Sequence, residues 1–176
     1  MNTKRSLIIT ALVLVIFTVS ASAQRKRTKK AVPKTNTSAT AAAAANVEIR
    51  QNKIKVASQL NTVAEFAYRL GGIATGLEDI DKTALRTPMK EPTRGTHARN
   101  KQAVVQTIRN LRAGMIALET EFQSKPNLRR FQYQIGGIGD LSAQAESLAA
   151  GGQFTESGKA LLQVIQKLSE TLVAMP

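Results

Sequence analysis

Apolar side chains return every three or four positions along four successive stretches of this chain, and no other feature narrows its fold so far. Val56, Leu60, Val63, Ala67, Leu70, Ala74 and Leu77 form the first stripe, widened by Phe66, Ile73 and Ile80. The spacing predicts a helix from about Val47 to Leu85, ended by Pro88, Pro92 and Gly95. A second helix is expected from Thr96, as N-cap, to about Ser124, with the stripe Val104, Ile108, Leu111, Met115, Leu118 and Phe122. The third is capped by Asn127 and stopped by Gly151 and Gly152, burying Leu128, Phe131, Ile135, Ile138, Ala145 and Ala149. The fourth opens at Thr155 and aligns Leu161, Ile165, Leu168, Leu172 and Met175, with Leu162 and Val164 alongside.

No segment alternates with the two-residue period of a strand. Four amphipathic helices on short connections bury their stripes most simply as an all-α, antiparallel four-helix bundle. The chain of 176 residues suits one domain, and the absence of Cys leaves the core to stabilise it without disulfides.

The halves resemble one another. Phe66-Ala67-Tyr68-Arg69-Leu70-Gly71-Gly72-Ile73 aligns with Phe131-Gln132-Tyr133-Gln134-Ile135-Gly136-Gly137-Ile138, and residues 103–111 align with 160–168. The domain therefore reads as two helical hairpins of common origin, about 47–124 and 127–175. The repeated F-x-Y-x-[LI]-G-G-I motif is the candidate site, through Tyr68, Gly71, Gly72, Tyr133, Gly136 and Gly137. Glycine inside a helix costs roughly 1 kcal/mol relative to Ala, so each pair requires an offset. Close helix packing is the expected one, and a small ligand cleft flanked by the two tyrosines is the alternative.

Upstream, residues 1–23 have the pattern of a secretory leader: Lys4 and Arg5, an apolar run from Leu7 to Val19, then Ala21-Ser22-Ala23. Export after cleavage before Gln24 is expected, with an uncleaved membrane anchor as the alternative. Residues 24–46 read as a disordered, basic, Ala- and Thr-rich linker whose alanine run can join the following helix. Its Arg25, Lys26, Arg27, Lys29, Lys30 and Lys34 suit an anionic surface or polymer, or act as a solubilising spacer. They also hold much of the net charge of +13, since residues 47–176 carry only 17 Lys and Arg against 12 Asp and Glu. With no Trp and 4% aromatics there is little to stack on single-stranded bases, which disfavours nucleic acid as partner.

Catalytic patterns are wanting. Gly152 to Ala160 has five residues between its glycines and Ala where a phosphate loop needs Ser or Thr. His97, the single histidine, is expected on the surface, and bundle metal sites require Glu-x-x-His pairs that this chain lacks. Glu78, Asp79 and Asp81 read as a solvated face, with Glu78 placed to pair with Lys82. No cofactor is implied. The composite expectation is an exported, non-catalytic bundle that binds another protein or an anionic envelope component, with homo-oligomerisation as one form of that binding. In that reading Ile49, Ile54 and Val56 overhang the bundle and offer a contact surface.

Overall fold

The computed structural model describes residues 36–176, and the leader and the basic residues from Arg25 to Lys34 lie outside them. Helix α1 spans Asn36–Arg86, α2 Thr93–Ser124, α3 Gln132–Ile135, α4 Ile138–Ala150 and α5 Phe154–Ala174, with a 3-10 turn at Arg129–Phe131. Among the described residues the fold is all-helical, and α1, α2, α4 and α5 form an antiparallel four-helix bundle. Their order around the core is α1, α5, α4, α2: α1 packs chiefly on α5, α5 on α4, and α4 on α2. The seam between α1 and α2 is much sparser, although those helices are neighbours in the chain.

The apolar stripes face inward as their spacing requires. Val56, Val63, Leu70, Ile108, Met115 and Phe122 meet Leu128, Ile135, Ile138, Phe154, Leu161 and Leu168 in one core, with Leu60 and Ile165 half-buried at its margin. Two buried serines within it find backbone carbonyls. Ser142 Oγ donates to the Ile138 carbonyl at 2.7 Å, and Ser157 Oγ of α5 donates across to the Ala145 carbonyl of α4 at 2.8 Å. A hydroxyl that finds a carbonyl in this way avoids the penalty of a buried unpaired donor.

Three boundaries depart from the sequence reading. Helix α1 begins at Asn36 rather than near Val47, because the alanines from Ala41 to Ala45 continue the helix at no side-chain cost. Helix α2 begins at Thr93, so Thr96 lies within its first turn instead of capping it. The expected third helix is broken. Asn127 does not cap it but donates to Glu48 of α1 at 2.7 Å, and Gly136 and Gly137 interrupt the backbone between α3 and α4. Gly136 is extended (φ −60°, ψ 137°) and Gly137 left-handed (φ 86°, ψ 3°), the torsions of a type II turn, whose third residue favours glycine.

The overhang is likewise corrected. Ile49 and Val56 are buried, and Lys53 Nζ donates to the Met175 carbonyl at 2.7 Å, so the C-terminal end of α5 covers this part of α1. Ile54 alone of the three faces solvent. The end of α4 follows its expected stop: Gly152 adopts φ 78°, the Gln153 N–H reaches the Leu148 carbonyl and the Gly152 N–H the Ala149 carbonyl, which is a Schellman closure. No described helix is long and apolar enough to cross a membrane.

Candidate functional site

The two copies of the repeated motif have separate structural roles. Tyr68 and Tyr133 are 86% and 91% exposed, so no shared cleft encloses them. Gly71 and Gly72 remain inside the unbroken α1, on its solvent side, whereas Gly136 and Gly137 make the turn before α4. A Cβ placed on Gly71, Gly72 or Gly76 would meet nothing within 4 Å. The packing expectation is therefore corrected for the first pair: among the described residues no other helix packs on these glycines.

Helical geometry explains why apolar side chains accompany them. Gln59 faces α2, where a Cβ on Gly114 would lie 3.2 Å from its Oε1. Phe66, Ile73 and Ile80 follow Gln59 at seven-residue intervals and so run along the margin of the buried stripe. Phe66 is half-buried, while Ile73 and Ile80 are 49% and 41% exposed. Gly72 and Gly76 lie one turn apart beside Ile73, giving α1 an outer face with backbone open to contact and apolar side chains at its edge.

A second constellation was not anticipated. His97 is buried, at 7% exposure, and its Nε2 donates to Asp81 Oδ1 at 2.7 Å, while Lys101 Nζ donates to Asp81 Oδ2 at 2.6 Å. Burial pushes the Asp81 carboxyl up, but the hydrogen bonds from Lys101 and His97 outweigh that and hold it below its ordinary range. This triad closes one end of the α1 and α2 seam, and Lys55 with Glu121, 2.7 Å apart, closes the other. The signal in the sequence was the four-residue spacing of His97 and Lys101, which places both on one face of α2 toward a single acid. Beside Asp81 lies an open groove of about 740 Å³ lined by Glu78, Lys82, Lys101, Gly152 and Thr155.

Of the three acidic residues near the end of α1, Asp79 lies on a solvated face as expected, while Glu78 caps another helix. Glu78 Oε1 accepts the Thr155 N–H at 2.7 Å, so an α1 carboxylate sits at the N-terminus of α5, and Lys82 pairs with Asp79 instead. Glu119 of α2 does the same for α4, accepting the N–H groups of Gly137 at 2.7 Å and Gly139 at 3.0 Å. Neither α4 nor α5 has a side-chain cap of its own, and a carboxylate at a helix start complements both the free N–H groups and the dipole. Among the described residues no three His, Asp or Glu side chains are grouped to hold a metal ion.

The fold and these surfaces define the class: an antiparallel four-helix bundle with one long helix whose outer face is uncovered. Comparison with protein-family models, with curated proteins and with solved structures gave no match to this chain.

Proposed function

We propose that this protein is an exported, non-catalytic interaction module whose contact surface is the outer face of α1 around Gly72, Ile73 and Gly76. One observation carries the reading. Three glycines stand in the interior of the longest helix with open space at every Cβ position, where alanine would be more favourable by about 1 kcal/mol each. Among the described residues nothing offsets that cost. A helix or strand from a partner would, because missing side chains let a second backbone approach closely while Ile73, Ile80 and Tyr68 supply apolar rims. In this reading the leader directs export, cleavage falls before Gln24, and the basic residues Arg25 to Lys34 add attraction to an anionic envelope component.

The test is a photoreactive residue placed at Ile73 in cells that make the protein, compared with one at the exposed Gln144 of α4. The reading expects a discrete adduct from position 73 and none from 144. Equal background at both positions would remove its support, and N-terminal sequencing of the purified protein tests the cleavage.

A further inference from the structure

The connection between α1 and α2 gathers the positive charge of the bundle. Residues 82–101 contain six Lys or Arg and a single carboxylate, Glu91, and the remaining described residues balance to zero. The carboxylates at this pole and beside it are already engaged. Glu78 holds the Thr155 N–H, Asp79 pairs with Lys82, Asp81 with His97 and Lys101, Glu91 with Arg94 and Glu156 with Lys159. Arg86, Lys90 and Arg99 are exposed, and among the described residues no carboxylate pairs with them. Leu85, next to Arg86 at the end of α1, is 89% exposed, and the exposed Pro88 and half-buried Met89 follow it in the connection.

We infer that this tip docks on an anionic lipid surface, with Arg86, Lys90 and Arg99 among the headgroups and Leu85 entering the boundary with the acyl chains. The charge complements any polyanion, and the apolar side chain distinguishes the bilayer. Leu85 gains nothing at a hydrated phosphate polymer, whereas at a membrane interface its burial adds to the electrostatic attraction. Each basic group on an anionic leaflet contributes about fivefold to partitioning, so three contribute about a hundredfold. The inference stands apart from the α1 outer face and does not require a partner there.

Because the chain has no Cys, a single label can be placed cleanly. Thr87→Cys and, as control, Gln144→Cys are labelled in the full processed protein with an environment-sensitive fluorophore and titrated with vesicles of phosphatidylcholine alone or with one quarter phosphatidylglycerol. The expected result is a blue shift at position 87 on anionic vesicles only, and no shift at 144. The Arg86→Gln, Lys90→Gln, Arg99→Gln variant should lose about a hundredfold in partitioning, and Leu85→Ser should also weaken it, with both melting temperatures unchanged. Vesicle binding without a shift at position 87 would overturn the inference and assign the contact to the basic N-terminal segment. An equal shift at 87 with soluble polyphosphate, or no loss on Leu85→Ser, would also overturn it in favour of polymer binding.

Discussion

Glu119 Oε1 accepts the backbone N–H of Gly137 at 2.7 Å, tying α2 to the turn at which α4 begins. The same carboxylate takes the Gly139 N–H through Oε2, so one side chain satisfies two donors that the helix leaves free. Glu119→Ala is expected to destabilise the bundle by about 1–2 kcal/mol, in the range of a lost helix cap. Gly137→Ala should cost about 1–2 kcal/mol, because its φ of 86° forces a side chain into the left-handed region. Urea denaturation of both variants checks this, and a midpoint equal to that of the parent protein for Glu119→Ala would contradict the capping role.

The glycines of the first repeat should behave in the opposite way. Gly72→Ala and Gly76→Ala introduce a methyl into open space on an exposed helix, so each is expected to stabilise by about 1 kcal/mol. Thermal melting of the double variant should therefore rise by several degrees. A fall would show that these positions are engaged within the folded chain.

Acid should loosen the structure through a defined set of carboxylates. Asp81 is lowered by Lys101 and His97 against the effect of burial, Glu121 by Lys125 and Lys55 against the same effect, and Glu146 chiefly by its hydrogen bonds with Arg109 and Arg112. Since each is lowered on folding, its stabilisation is complete above the unfolded value of about 4 and disappears as the pH falls through the lower folded value. Partly exposed pairs contribute about 0–1 kcal/mol each, so the summed loss is about 1–2 kcal/mol. Denaturant midpoints should be flat with respect to these groups from pH 5 to 7 and drop between pH 4 and 2.

His97 and Asp81 offer a separate check. Asp81→Ala leaves the buried imidazole without its acceptor and should cost about 1–3 kcal/mol. Asp81→Asn keeps an oxygen for His97 while losing the charge that holds Lys101, so its cost should be smaller. Equal losses in the two variants, measured by urea denaturation, would show that the His97 hydrogen bond contributes little.

The sequence disclosed the bundle because burial follows periodicity: every stripe position of α2, from Val104 to Phe122, is buried. It disclosed less where one local pattern has two outcomes. Gly-Gly is compatible with a helix interior at Gly71 and with a turn at Gly136, and at the second pair Glu119 accepts the N–H groups that the turn leaves free. Tertiary partners of this kind leave no local trace. His97 illustrates the same limit, since its burial depends on an acid 16 residues away on another helix. Ile73 and Ile80 widen the stripe of α1 in the sequence, yet they lie at its solvent edge, and spacing alone does not tell the edge of a stripe from its centre.

The sparse seam between α1 and α2 determines the order in which the molecule can assemble. Each helix of the N-terminal half finds its main apolar partner in the C-terminal half, α1 on α5 and α2 on α4. The first hairpin therefore has little to gain by closing alone, and the fold waits for contacts between distant parts of the chain. Helix α1 therefore lacks its chief apolar partner until the 21-residue α5 is in place.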